Sequence, residues 1–354
     1  MNLLSASLLF VTISANQFDL YHYPAFYSIE YYPAPGTSFI LYAQCRNGVW
    51  TKPDSAAFTR NRRTSEPFFA PDGRRVYMFA SKAMNQVGNL DICYSQQSGS
   101  TWSDPVSLGN PPNSLLPGDQ YHPCIVKDGS LYFSAGTGEI CRSQYKKGKH
   151  EPPVMLPYPV NYANTSQTWG DPFVAPDESY IIFKSNRQGG YGGTDNYISF
   201  RKPDSTWTNP KNLGPLINSA YEETAGDITP DGKYMTFGRN GDLYWVSASF
   251  IDSLRATNFT PYLKHSLKEQ VATKGLSFSY RVPENTFVDD DGSSTLSLDA
   301  RLENGNPLPV WLDFDARTKT FSGIPPQVVV LPVRVTATDA AGAGIAATFT
   351  IRVQ

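Results

Sequence analysis

The sequence predicts an all-β protein, a β-propeller followed by a β-sandwich. A unit of four short apolar runs recurs through the first 250 residues, each run bounded by Pro, Asp, Gly or Asn, as short antiparallel strands with tight turns require. A turn spelled Pro-Asp-Gly, or nearly so, returns at the same place in each unit. Beyond residue 275 that spelling is gone, and apolar and polar residues alternate in short runs, as in the strands of a sandwich.

The clearest unit runs from Asp171 to Ser219. It holds Asp171-Pro172-Phe173-Val174-Ala175-Pro176-Asp177, Tyr180-Ile181-Ile182-Phe183, Asp195-Asn196-Tyr197-Ile198-Ser199, Trp207-Thr208-Asn209-Pro210 and Leu213-Gly214. A second begins at Glu66-Pro67 and passes through Val76-Tyr77-Met78-Phe79 and Asp91-Ile92-Cys93 to Trp102-Ser103-Asp104-Pro105. A third begins at His122-Pro123 and has lost its Trp; a fourth is anchored by Thr229-Pro230-Asp231-Gly232. A degenerate early copy holds Phe39-Ile40-Leu41-Tyr42 and Trp50-Thr51-Lys52-Pro53.

The spelling has a physical reason. In Pro-Asp-Gly the first residue presets a negative φ, the second accepts a side-chain hydrogen bond and the third takes a positive φ, so the tripeptide closes the first hairpin. The second strand is apolar on nearly every residue, as expected of a strand covered on both faces by neighbouring blades. The W-x-x-P ending puts a large aromatic on an outer strand and a Pro where the ladder can spare a donor. These motifs resemble the TolB-type, WD-like β-propeller repeat family over about the first 250 residues. The resemblance implies a six-bladed propeller in an exported bacterial protein, and no particular reaction.

Residues 1–15 read equally as a secretory h-region without a preceding Lys or Arg, or as a propeller strand that helps to close the ring. Cys93 and Cys141 occupy one position in successive blades, too far apart for a disulfide, and the four cysteines fit no zinc spacing, so buried free thiols are expected. The net charge of -2 offers nothing to nucleic acid or anionic lipid, and no stretch has the length and hydropathy of a spanning helix.

The candidate propeller site is the residue before Pro at the start of the innermost strands. Glu66, His122 and Asp171 take that place in three successive units and could meet a polar ligand in the central channel. The alternative is that they merely cap strand ends facing solvent, and the fourth unit has Ala225-Gly226 there. Sialidase boxes, clustered histidines and a Gly-x-Ser-x-Gly elbow are all lacking. The run Gly189-Gly190-Tyr191-Gly192-Gly193 sits between two strands and reads as a hairpin loop rather than a phosphate cradle.

Residues 251–274 read as a polar linker with a turn or two of helix between a propeller at 1–250 and a sandwich at 275–354. In the sandwich, Pro283-Glu284-Asn285-Thr286 with Asp289-Asp290-Asp291-Gly292, Leu308-Pro309-Val310-Trp311, Phe321-Ser322-Gly323-Ile324-Pro325 and Ala337-Thr338-Asp339 follow in an order that resembles the dystroglycan-type cadherin-like, immunoglobulin-related domain. Calcium wants six to eight oxygen ligands on tolerant loops. By that resemblance Glu284, Asp289, Asp291 and Asp339 are its candidate ligands, against the reading of a solvated acidic turn. The L-D-R-E and D-x-N-D-N motifs of full cadherin repeats are missing. Trp311 is expected in the core. Together these readings point to an extracytoplasmic, non-catalytic binding or adhesion protein that takes a protein or glycan ligand. The alternatives are a lyase or glycosidase acting on polysaccharide with Glu66, His122 and Asp171, and a structural part of an envelope complex.

Overall fold

The structure, a computed structural model, describes residues 25–29, 39–43, 45–46, 49–50, 52, 54–60, 62–88, 90–99, 101–113, 120–136, 138–161, 168–223, 226–239, 242–292 and 296–354. The chain divides into two compact units, residues 1–255 and 256–354. Residues 1–23, and with them the choice between leader and closing strand, lie outside the described residues.

The described part of the first unit holds five antiparallel sheets of three or more strands, each a meander in chain order. In the sheets begun by Thr64–Phe69, Gln120–Ile125 and Thr168–Val174, the second strands are Arg75–Ala80, Leu131–Ala135 and Tyr180–Ser185. These second strands are the apolar ones: Val76, Met78, Leu131, Phe133, Ile181 and Phe183 are all fully buried. Side chains on both faces of one sheet pack against the sheets before and after it, so no single core exists. Tyr132 and Cys124 of one sheet join Val174, Ile181 and Phe183 of the next, while Leu131 and Phe133 join Tyr77 and Ile92 of the one before. This stacking of meanders around their first strands is a β-propeller.

The last strand of each four-stranded meander is only two residues long, which would leave the third strand short of partners. A buried asparagine in the connection to the next sheet makes up the deficit. Asn161 accepts from the Ile140 N–H at 2.9 Å and donates to the Ile140 carbonyl at 2.9 Å and the Leu156 carbonyl at 2.8 Å. Asn113 does the same at Ile92, and Asn218 at Asn196. Asn161→Ala is therefore expected to cost about 1–3 kcal/mol, since it orphans the buried Ile140 N–H and takes a donor from the Leu156 carbonyl, while the Ile140 carbonyl keeps the Leu156 N–H at 2.8 Å. Urea denaturation would check this, and a cost below about 1 kcal/mol would mean that water replaces the amide.

Cys93, Cys124 and Cys141 are buried free thiols, as their spacing predicts.

The linker expected over 251–274 is structured. Phe250–Ala256 is a helix of seven residues, Tyr262–Leu263 pairs with Phe287–Val288, and Gln270–Ala272 runs parallel to the end of Gly344–Val353. Tyr262 and Ala272 are buried, which explains why these residues belong with the second unit. There one sheet carries Ser297–Leu302, Val329–Thr338, Gly344–Val353 and Gln270–Ala272, and the other Phe278–Arg281, Thr320–Gly323 and Leu312–Asp315. Alternation works as the sequence predicts: Val333, Val335 and Ala337 are fully buried, while the intervening Arg334 is exposed. Trp311 packs at the margin of this core, half-buried. Its carbonyl passes so close to Gly323 that a Cβ there would stand 1.8 Å from it, so the Gly-Ile-Pro step needs its glycine.

Candidate channel site

Each of the three first strands breaks register at its X-Pro step. Proline cannot donate to the ladder, and pairing resumes beyond it at Phe68 opposite Tyr77, Cys124 opposite Tyr132 and Phe173 opposite Ile182. The result is a bulge in which Glu66, His122 and Asp171 have φ of 56°, 49° and 54°. A left-handed conformation at a residue other than glycine costs about 1–3 kcal/mol and persists only where its surroundings enforce it. Bulges re-aim side chains, and here three successive bulges aim them at one another.

His122 Nε2 lies 3.0 Å from Glu66 Oε1 and 2.7 Å from Asp171 Oδ1. The His122 backbone N–H donates to Glu66 Oε2 at 2.6 Å. Lys184, in the second strand of the Asp171 sheet, reaches Asp171 Oδ2 at 2.6 Å, and the Asp171 N–H donates to Ser134 Oγ at 2.8 Å. The three residues singled out from the sequence thus form one network across three sheets. Burial pulls the imidazole pKa down, but Asp171 and Glu66 more than reverse it, so His122 is held above the usual histidine range. Burial pushes the Asp171 carboxyl up, yet His122 and Lys184 outweigh it and hold it below the usual range.

A further carboxylate belongs to the site. Asp227 opens the first strand of the next sheet, and its repeat position is the one held by Phe68, Cys124 and Phe173 in the others. It is accessible to solvent yet walled by protein. Those low-dielectric surroundings push its carboxyl up to about 6, against the pull of His122 and with the help of Asp171. Sequence reasoning passed over Asp227 because it examined the position before Pro, where this unit has Ala225, outside the described residues. An acid in an apolar register was the available signal. Lys184, a charge in a largely apolar strand where the Glu66 unit has Phe79, was a signal of the same kind, whereas Ser134 gave none.

In the second unit, Asp289 Oδ1 accepts the Asp291 N–H at 2.9 Å, Asp291 Oδ2 accepts the Phe259 N–H at 2.5 Å, and Asp339 accepts from the Ala343 N–H and the Asn258 amide, each at 2.8 Å. Burial and then the charges of Asp291, Asp339 and Asp290 raise the Asp289 carboxyl, so these acids share one neighbourhood. Glu284 is instead an exposed side chain paired with Arg281 at 3.0 Å. Among the described residues, no group of three or more His, Cys, Asp or Glu is arranged to hold a metal ion. The donor chemistry of the three aspartates fits calcium, but they would have to trade present hydrogen bonds for the ion, and three carboxylates need further oxygens to reach six.

Residues 260–354 match the family described as "Putative Ig domain". The second unit is an immunoglobulin-like module. Among solved structures, the chain is 13% identical to one described as "putative TolB from Agrobacterium tumefaciens", covering 93% of this chain and 82% of that one at a TM-score of 0.37. It is 13% identical to a thermostable family-43 glycoside hydrolase, over 59% of this chain and 80% of that one at a TM-score of 0.40. A structure described as "a putative alpha-galactosidase" from Bacteroides fragilis matches at 20% identity and a TM-score of 0.22 over 27% of this chain, which spans only 18% of that one. No curated protein matches the chain. Likeness at this level says nothing about chemistry, so the functional reading rests on the residues of the chain itself.

Proposed function

We propose that the chain is an extracytoplasmic binding or adhesion protein whose propeller channel holds a polar ligand. The observation that carries this is the convergence of Glu66, His122 and Asp171 from three strained bulges. A network that served only to brace sheets has no need of three left-handed residues in successive strands. Nε2 of His122 is spent on the two carboxylates, which leaves Nδ1 for the channel. Asp227 is near enough to feel the charges of His122 and Asp171. A polar ligand that brings both a hydrogen-bond acceptor and a donor suits these groups. The test is a ligand screen by calorimetry on the full chain and on His122→Gln. A ligand bound equally well by both would defeat the channel assignment.

The second module is of the cadherin-like kind and binds calcium through Asp289, Asp291 and Asp339, while Glu284, paired with Arg281, stays outside the site. Support comes from Asp289, whose carboxyl is raised by burial and by the charges of Asp291, Asp339 and Asp290, a repulsion that a cation would relieve. Millimolar calcium is expected to raise the melting temperature of the full chain, and Asp289→Asn with Asp339→Asn to abolish that rise relative to the double variant's own calcium-free melting temperature. An unchanged calcium response in the double variant would remove these residues from the site. The reading as an enzyme acting on polysaccharide has one observation in its favour: Asp227, with a pKa of about 6, is suited to passing a proton near neutral pH.

A further inference from the structure

In these meanders the connection between second and third strands, and the connection onward to the next sheet, both leave from the end at which the first strand starts. That end carries Glu66, His122 and Asp171. Two of its loops, residues 189–193 and 214–223, present large apolar side chains to solvent: Tyr191 is 51%, Leu216 78% and Tyr221 58% exposed.

Neither loop is loose. The Tyr191 and Gly192 N–H groups donate to the two carboxylate oxygens of buried Asp195, which also accepts from the Asn212 amide. In the second loop, the Tyr221 N–H donates to Ser219 Oγ, and the Glu223 N–H to the Thr194 carbonyl. The buried Glu223 carboxylate binds Arg239, whose guanidinium also donates to the Leu216 and Ile217 carbonyls. The loops are in backbone contact: a Cβ at Gly192 would stand 2.4 Å from the Ser219 carbonyl and 2.5 Å from that of Tyr221. The glycine-rich run is what lets two tyrosines be held on adjoining rigid loops.

We infer that this rim is a protein-docking surface, and that its partner is a polypeptide segment bearing an apolar side chain next to a lysine or arginine. Three features select that partner. Tyrosines carried among Gly, Ser and Asn give large amphipathic contact area for little loss of side-chain entropy, the composition by which binding loops recognise proteins. Leu216 offers a sugar neither a flat ring face nor a hydrogen bond, but it suits an apolar side chain. The exposed Glu222 lies over Gly193, so it reaches from the Tyr221 loop onto the Tyr191 loop, and it supplies the charge that a basic residue would meet. Because the loop backbones that carry the anchors are already held in place, little loop ordering opposes binding.

The test is selection of a phage-displayed random dodecapeptide library on the immobilised full chain, followed by anisotropy titrations of the enriched peptides. The expected consensus pairs an apolar residue with Lys or Arg, and both Tyr191→Ala/Tyr221→Ala and Glu222→Lys should weaken binding at least tenfold with the melting temperature unchanged. No enrichment, or an acidic consensus, overturns the inference. Peptides that ignore the rim variants but are lost in His122→Gln also overturn it, while leaving the channel reading standing. If a mixture of neutral cello- and xylo-oligosaccharides binds and is lost in the tyrosine double variant, the rim is a glycan platform and the inference fails.

Discussion

Asp171→Ala is expected to destabilise the chain by about 3–5 kcal/mol, the cost of removing one partner from a buried charge network. Asp171 is nearly buried, with a side-chain exposure of 8%, and it holds two groups: His122 at 2.7 Å and Lys184 at 2.6 Å. Glu66 still accompanies His122 in the variant, but Lys184 loses the carboxylate it reaches. Alanine also tolerates φ of 54° less well than aspartate. Asp171→Asn separates the two contributions, because asparagine accepts the left-handed conformation and removes only the charge. Urea denaturation followed by tryptophan fluorescence measures both. If Asp171→Ala costs under about 1 kcal/mol, water screens the network and it does not hold the three sheets together.

The same network fixes how stability varies with pH. The Asp171 carboxyl is held below its ordinary value, so its contribution is present above about pH 4 and is lost as pH falls through the folded value. The His122 imidazole is held above its ordinary value, so its contribution is complete below about pH 6.5 and is lost as pH rises through the folded value. The window in which both act lies between those two limits. Asp171→Asn should flatten the acid arm and reduce the alkaline one, since Asp171 is the stronger of the two carboxylates acting on His122.

What the sequence made legible follows from what repeats. Pro71-Asp72-Gly73 and Thr229-Pro230-Asp231-Gly232 could be read because a turn type constrains residue identity locally, and Gly73 and Gly232 do take positive φ. In the Asp171 sheet Glu178 stands where glycine was expected, at φ 59°. Its carboxylate accepts from the Tyr132 hydroxyl and Arg142 of the preceding sheet, a gain that no local rule reports. Glu66, His122 and Asp171 were found because they share a register. Their contact with one another depends on bulges, which shift register by a residue and leave no mark beyond the following proline. Asn113, Asn161 and Asn218 were equally regular, yet they were overlooked because an asparagine in a loop reads as a turn residue, and the third strand's need for a partner appears only once the fourth strand is seen to be two residues long. In the second unit alternation located the core, whereas the entry of Gln270–Ala272 into a sheet was missed because a parallel pairing with the distant Ile351–Val353 has no local signature.

Phe321→Ala tests whether the immunoglobulin-like core is organised as its side chains indicate. Phe321 is fully buried on the middle strand of its sheet, between Phe278–Arg281 and Leu312–Asp315. Its ring lies 4.5 Å from Phe314 and 6.3 Å from Tyr280 within that sheet, and 5.6 Å from Phe349, edge to face, across to the other. Alanine leaves a cavity that three neighbouring rings on separate strands cannot close together, because movement of any one toward it opens its own contacts. The expected cost is about 3–5 kcal/mol. For a unit of about 100 residues that corresponds to a fall in melting temperature of roughly 15 °C or more, readable by calorimetry on the full chain. Phe314→Ala removes a ring that is only half-buried at the sheet's edge strand and should cost clearly less. Were the two variants equal, the sandwich would be held by its margin rather than by Phe321, and the two sheets could not be packed through that residue as described.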